Sequence, residues 1–331
     1  MKFNDILSLT DERKATSALI LCHSRADPDA IGSAYALQGL LKKLKPELKV
    51  IIGTEKEINR LSKNVIEYVP ISLDYDPELD QTDIIILIDT NTIQQLGNLS
   101  KKLAKIPVPI IVIDHHTINP KTGKIAIMSI IDESAPSTCE IVYGFYKKLK
   151  LKPDMNESKA LFIGIASDTR HFLLGKSSTF KIISELCEIG VNPQEALTHL
   201  AIPMSFSERI ARIKACKRVR IININKWIIG LSTVSSYQSS SARAIMDLGA
   251  HLAIVAGKKG KKIEISLRST KEFNKKTGIH LGKDIAQPLG DYLSGIGGGH
   301  SSAAGVNGAG KIEDSLNECL AIIRKILTNL T

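Results

Sequence analysis

The sequence predicts an α/β protein: a mostly parallel sheet in an N-terminal domain, then a smaller α/β C-terminal domain reached through a helical connector. Three observations predict it. Short apolar runs, Ala18–Cys22, Val50–Ile52, Ile84–Ile88 and Ile110–Ile113, alternate with stretches of helical spacing. Near-continuous apolar strands of this kind suit a parallel sheet covered on both faces. Second, three of the four runs lead straight into polar groups: His23 after the first, Asp89 after the third and Asp114 after the fourth. Third, 331 residues exceed what one compact domain usually holds, and 43% hydrophobic content is enough for real cores.

Taken in order, Ala18–Cys22 reads as a buried strand and Ile31–Leu41 as an amphipathic helix. Val50–Ile52, Ile84–Ile88 and Ile110–Ile113 are strands. Pro136–Leu149 and Ser158–Ala166 are helices, the second ending at Ser167-Asp168-Thr169. From Phe180 to Arg218 the pattern is helical, broken at Asn192-Pro193. This places the first domain at residues 1–185 and the connector at 186–218. The second domain, 219–331, opens with strands at Ile221–Ile224 and Trp227–Leu231. A helix at Ala242–Leu248 and strands at Leu252–Ala256 and Ile263–Leu267 follow. Then come a glycine-rich stretch, Gly295–His300, and a closing helix from Glu313 to Leu327.

Composition narrows the function. The 44 Lys and Arg against 34 Asp and Glu give a net charge of +10. That excess favours a polyanionic partner such as nucleic acid, although a solvated basic surface reads the same way. Five scattered Cys without a CxxC point to reduced thiols in a cytoplasm. The N-terminus lacks the apolar core of a signal peptide, and no apolar run is long enough to span a bilayer, so no membrane partner is expected.

The chemistry gathers at strand ends, where ligands bind in open α/β sheets. His23-Ser24-Arg25-Ala26-Asp27-Pro28-Asp29 places one imidazole and two carboxylates on a single loop. That loop can feed a metal site, or it can be a polar turn with Asp29 capping the next helix. Asp114-His115-His116 follows a buried strand. Its two His residues should point in different directions, one to a metal and one to substrate. Asp89 and Asp168 each follow an apolar segment, where a lone acid is more often a cap or turn residue. Together, four acids and two or more His at one sheet edge would repel unless divalent cations neutralised them.

His23-x-x-x-Asp27-x-Asp29-Ala30-x-Gly32, then Asp89, then Asp114-His115-His116, then Ser167-Asp168-Thr169 resemble, in order, the four motifs of the DHH phosphoesterases. That family takes in RecJ-type exonucleases, nanoRNases, cyclic dinucleotide phosphodiesterases and manganese inorganic pyrophosphatases. The resemblance implies two Mn2+ ions, with Mg2+ or Co2+ as substitutes. One would be held by His23, Asp27 and Asp89, the other by Asp29, Asp89, His115 and Asp168, with Asp89 bridging. It implies that Asp114 orients the His pair and that His116 faces the substrate phosphate, stabilising its growing charge or serving the leaving group with a proton. Two divalent ions about 3.5–4 Å apart clamp phosphate oxygens and acidify water. Many members carry Gly after Ser-Asp-Thr; this chain has Arg170-His171, a cation that can meet substrate phosphate or narrow the pocket.

In the second half, Ser266-Leu267-Arg268-Ser269 and Gly297-Gly298-Gly299-His300-Ser301-Ser302-Ala303-Ala304-Gly305 resemble the C-terminal DHH-associated domain. By that resemblance Arg268 binds a phosphate or the terminal nucleotide, and Gly298, Gly299 and His300 meet the scissile region. Consecutive glycines let backbone amides approach a phosphate, though a lone glycine run is equally a flexible loop. Two domains suggest a cleft whose closure would bring His300 and Arg268 to the metals.

These readings converge on a Mn-dependent exonuclease or phosphodiesterase. Its substrates would be short single-stranded RNA, short DNA or dinucleotides, cut to mononucleotides. No aromatic stacking ladder or oligonucleotide-binding fold supports long strands. A 3′-phosphoadenosine-5′-phosphate phosphatase and a cyclic dinucleotide phosphodiesterase are close variants. A metal-free nucleic-acid-binding module is the non-enzymatic alternative, which the complete acid and His set opposes. An inorganic pyrophosphatase is opposed by Arg268 and the glycine segment. A homodimer is compatible with the resemblance.

Overall fold

The computed structural model describes residues 3–55, 58–103, 105–117, 119–201, 203–260 and 262–328. They form two compact units, Met1–Ile202 and Pro203–Thr331.

The first unit carries strands β1 (Ser17–Leu21), β2 (Lys49–Thr54), β3 (Asp74–Tyr75), β4 (Ile84–Ile88), β5 (Ile110–Asp114) and β6 (Met128–Ile131). They lie in the order β3-β2-β1-β4-β5-β6, and every pairing is parallel. This is a doubly wound sheet whose strand order reverses between β1 and β4. Alternate side chains divide between two cores. Ile20, Ile86, Ile88, Ile111 and Ile113 pack on one face. Leu19, Leu21, Ile85, Leu87 and Val112 pack on the other. With both faces covered, polar side chains have no place along the strands and are delivered at their ends.

The helices of this unit are α1 (Phe3–Glu12), α2 (Pro28–Leu44), α3 (Arg60–Tyr68), α4 (Leu99–Leu103), α5 (Pro120–Ile125), α6 (Thr138–Lys148), α7 (Met155–Asp168), α8 (Ser177–Ile189) and α9 (Pro193–Thr198). Asp27, not Asp29, is the N-cap of α2: its Oδ1 accepts from the backbone N–H groups of Asp29 and Ala30, both at 3.1 Å. Pro28 fits the first turn because its missing N–H has no helical partner there. Asp29 thereby lies inside the helix and is fully buried. The sequence reading missed β3, β6, α1 and the short helices α3, α4 and α5, which lack a long apolar repeat.

The second unit has α10 (Phe206–Lys217), β7 (Arg220–Ile224), β8 (Trp227–Thr233), α11 (Gln238–Asp247), β9 (Leu252–Lys259), β10 (Lys262–Ser269), α12 (Lys271–Thr277), α13 (Gln287–Tyr292), β11 (Ile296–Gly299), β12 (Ala303–Gly308) and α14 (Ile312–Thr328). Its sheet runs β11-β12-β10-β9-β8-β7 and is mixed, with β8 and β9 parallel and the other pairs antiparallel. The glycine run is therefore an edge strand rather than a loose loop. Gly297 has no room for a side chain: a Cβ there would sit 1.6 Å from the Ala286 carbonyl oxygen. The stretch 186–218 is shared between the units. Leu186, Ala196 and Leu200 join the core of the first, and Ala215 joins a core of the second. No helix among the described residues is long and apolar enough to cross a membrane.

Candidate metal centre

The site begins at the C-terminal ends of β1 and β4, the two strands that flank the reversal in strand order. After β1 the chain turns through His23 to Asp27 on a fixed path. Ser24 N–H donates to the Gln95 carbonyl (2.7 Å), and Ala26 N–H donates to the His23 carbonyl (3.0 Å). Thr54 Oγ1 donates to the His23 carbonyl (3.1 Å), and Ser62 Oγ donates to the Ala26 carbonyl (2.8 Å). The loop is therefore set by long-range bonds before any ligand arrives.

Asp29 is held by the N-terminus of α6. The backbone N–H groups of Thr138 and Cys139 donate to its two carboxylate oxygens at 2.7 and 3.0 Å. These amides belong to the first turn of the helix, where unpaired donors and the helix dipole both favour an anion. Two glycines let α2 and α7 come close enough to share the site. A Cβ on Gly32 would lie 2.5 Å from the Ala160 carbonyl oxygen, and one on Gly164 would lie 2.3 Å from Cys139 Sγ and 3.1 Å from Asp29 Oδ1. Gly32 is three residues after Asp29 and Gly164 four residues before Asp168, so each acid shares a helix face with its glycine.

Asp89 follows β4 in the left-handed region (φ 50°) and accepts from Thr138 Oγ1 at 2.9 Å. Left-handed backbone in a non-glycine residue is tolerated best in Asn and Asp, and it is kept where the surroundings determine it. Asp114 closes β5 and is fully buried. Its Oδ1 accepts from His116 N–H and from His116 Nδ1, both at 2.9 Å. That double contact folds the His116 ring back over its own chain. The two imidazole centroids lie 4.0 Å apart, with ring planes at 58° to one another. His115 Nε2 and His116 Nδ1 lie 3.6 and 3.8 Å from Asp89 Oδ1.

His115 Nδ1 is 3.2 Å from the Ala135 carbonyl, which fixes that nitrogen as the one bearing hydrogen. Its Nε2 is turned into the acids, 3.3 Å from Asp168 Oδ2 but without hydrogen-bond alignment. This buried Nε2 and Asp114 Oδ2 are among the few buried polar atoms left without a hydrogen-bond partner in the described residues. Three overlapping groups of ligand atoms result, each with all its atoms within 4.8 Å of one another. They are His23, Asp27 and Asp89; Asp29, His115 and Asp168; and Asp89, Asp114, His115 and His116.

The electrostatics suit an added positive charge. Burial raises the Asp29 carboxyl well above its ordinary range, and Asp168 and Asp27 add to the effect. Burial does the same to Asp89, with Asp29, Asp27 and Asp114 reinforcing it. Burial lowers the His23 pKa, which favours the neutral form that ligates metals. Burial also acts to lower His115, but its contact with Asp168 and the charge of Asp89 outweigh this and raise it. The Asp114 hydrogen bond raises His116. Carboxylates whose pKa values are raised by burial and by one another, around an imidazole nitrogen with no hydrogen-bond partner, fit divalent cations of the Mn, Fe, Co or Zn kind. The sequence reading missed Thr138, Cys139 and Ala135, which touch Asp89, Asp29 and His115. Their only sequence signal was Ser137-Thr138-Cys139-Glu140, a helix start.

In the second unit, Arg268, Gly298, Gly299 and His300 line one cavity of about 420 Å3 with Gln238, Ser239 and Ser266. Arg268 Nη2 donates to Ser239 Oγ at 2.8 Å, while its buried Nε has no partner among the described residues. Ser239 is the residue sequence reasoning missed here. Arg170 lies in the first unit, exposed on the turn that follows Asp168.

The model of the DHH family, N-terminal domain, matches residues 17–165. An uncharacterized protein of Methanocaldococcus jannaschii is 37% identical over 305 residues, which is 91% of this chain and 90% of that protein. The Bacillus subtilis bifunctional oligoribonuclease and PAP phosphatase NrnA is 28% identical over 190 residues, 54% of this chain and 55% of that protein. Among solved structures, an exopolyphosphatase-related protein from Bacteroides fragilis superposes with a TM-score of 0.63 at 20% identity, covering 99% of this chain and 97% of that one; it shares the fold. With its matched N-terminal domain, its likeness to NrnA and its clustered Asp and His residues, the chain belongs to the DHH family of phosphoesterases.

Proposed function

We propose that the protein is a two-metal phosphodiesterase, with Mn2+ as its ion, that hydrolyses short oligonucleotides or dinucleotides to mononucleotides. The observation that carries this reading is the overlap of the ligand groups. His23, Asp27 and Asp89 form one, and Asp29, His115 and Asp168 form another whose His115 Nε2 reaches within 3.6 Å of Asp89. Asp89 between the two groups is suited to bridge a pair of cations. When bound, such a pair supplies charge compensation for the phosphate and a more acidic water.

The chain's own groups account for the rest. Asp29 and Asp89 are pinned by Thr138 and Cys139, so the acids need no reorganisation on binding. Asp114 holds His116 through Nδ1, and that hydrogen bond raises the His116 pKa. Half-exposed, its Nε2 can face the phosphate, stabilise charge gathering on the non-bridging oxygens and give a proton to the departing alkoxide. Water adds to phosphorus, the ester P–O bond breaks, and the alcohol leaves. Arg268 and the glycine strand, which line one cavity of the second unit, are suited to hold an anionic group. The net charge of +10 favours such substrates.

The NrnA likeness supports a second substrate for the same chemistry, 3′-phosphoadenosine-5′-phosphate. The test is turnover of RNA and DNA from dinucleotides upward, cyclic dinucleotides, phosphoadenosine phosphate and pyrophosphate, in Mn2+ and in EDTA. Metal-dependent release of mononucleotides that vanishes in Asp89→Ala supports the reading. Pyrophosphate as the sole substrate, or no turnover of any nucleotide, defeats it.

A further inference from the structure

Directly after Asp168 the backbone enters an unusual turn. Arg170, His171 and Phe172 have φ of 52°, 56° and 68°, three consecutive non-glycine residues in the left-handed region. That conformation is disfavoured for any residue with a Cβ, and such strain persists where the surroundings over-determine it. Here they do. Arg170 N–H donates to the Ser167 carbonyl at 3.1 Å, and His171 N–H donates to the Ala166 carbonyl at 2.7 Å. Leu174 N–H donates to the Thr169 carbonyl at 2.9 Å, and Phe172 N–H donates to Thr169 Oγ1 at 3.1 Å. The Phe172 ring anchors the turn edge-on against Phe162, with centroids 5.5 Å apart.

A glycine would adopt this turn without strain, yet the chain places a long cation at its first left-handed position. Arg170 is exposed and makes no ion pair or side-chain hydrogen bond among the described residues. It stands two residues from a carboxylate of the candidate metal centre, on a backbone held by these hydrogen bonds. A guanidinium offers a planar fork of donors that matches a phosphate bidentately.

We propose that Arg170 is a specificity-determining residue of this site, holding a second, uncleaved phosphate of the substrate. The preferred substrates are then nucleotides in which the scissile ester has a neighbouring phosphate group. This inference rests on the phosphodiesterase reading above.

The test compares wild type, Arg170→Gly and Arg170→Lys on a 5′-phosphorylated and a 5′-hydroxyl diadenylate. The kcat/KM ratio between the two is measured in Mn2+, and their relative affinity is measured by calorimetry in Ca2+. Phosphoadenosine phosphate against adenosine 3′-monophosphate serves as a second pair, separating a 5′-phosphate on a dinucleotide from one on a mononucleotide. The expected result is a preference for the phosphorylated member that falls at least about 10-fold in Arg170→Gly and is partly kept in Arg170→Lys. Arg170→Gly should also melt about 2–4 °C higher, because one of the three strained positions is relieved. A preference unchanged within about twofold in both readouts overturns the inference. A wild type that cleaves neither diadenylate defeats the phosphodiesterase reading instead, and calorimetry still reads the phosphate preference of Arg170 by itself.

Discussion

Replacing Asp89 with asparagine should make the metal-free protein more stable while removing its response to metal. In the absence of cations Asp89 and Asp27 offer oxygens within 4.8 Å of each other. Two unit charges at that distance, with an effective dielectric of about 20, repel by roughly 3.5 kcal/mol. Where Asp89 is ionised, removing this repulsion is worth up to about 3.5 kcal/mol, or roughly 7–14 °C in Tm for a unit of this size. The Thr138 Oγ1 bond to Asp89 Oδ1 survives the Asp89→Asn change, because an amide retains an acceptor oxygen. The pH dependence has a definite sign. Burial, then Asp29, Asp27 and Asp114, raise the folded-state pKa of Asp89 above its unfolded value. Its contribution to stability is therefore fully present below the unfolded carboxylate pKa and is lost as pH rises through the raised folded one. The advantage of the Asp89→Asn variant should accordingly shrink at pH 5 and grow toward pH 8. With Mn2+ at 100 times its dissociation constant the wild type should gain about 2.7 kcal/mol, and the variant little. Calorimetric melting in EDTA and in MnCl2 at both pH values reads all of these quantities. An Asp89→Asn protein that melts below wild type in EDTA at pH 8, or that gains as much from Mn2+, refutes the reasoning.

Further outcomes follow from the same geometry. Gly164→Ala forces a methyl to within 2.3 Å of Cys139 Sγ and 3.1 Å of Asp29 Oδ1. It should cost about 1–3 kcal/mol in urea denaturation and weaken metal binding as Asp29 moves; unchanged Mn2+ affinity would contradict the packing role. Thr138→Val, nearly isosteric, removes the donor to Asp89 Oδ1. Metal affinity by thermal-shift titration should fall about 10-fold, and a change under twofold counts against the pinning. His116→Ala should lower kcat by about 10²–10⁴-fold while barely moving Tm, since its side chain is 54% exposed. A kcat that holds while only KM changes would remove His116 from the chemical step.

Much of the fold and of the candidate site was legible in the sequence. Buried parallel strands must be apolar throughout, so Ile84–Ile88 and Ile110–Ile113 announce themselves, and the polar residues that interrupt such runs can stand only at their ends. That local rule places Asp89, Asp114 and His23 at one sheet edge without coordinates. By contrast, a glycine run reads alike as loop or strand. The choice for Gly297, Gly298 and Gly299 is made only by the pairing of β11 with β12, Gly298 against Gly305 and Gly299 against Ala304.

Tertiary structure alone decided how the acids are held. Asp29 meets the amides of Thr138 and Cys139 across 109 and 110 residues, and Asp89 meets Thr138 across 49. Gly164 looks unremarkable until its helix packs against Cys139 and Asp29. The left-handed turn at Arg170 lies where local propensity argues against it. Periodicity and capping are properties of neighbours along the chain, so they reveal which groups reach the sheet edge. Which donor each group meets there depends on helix packing between distant segments, and no local pattern carries that information.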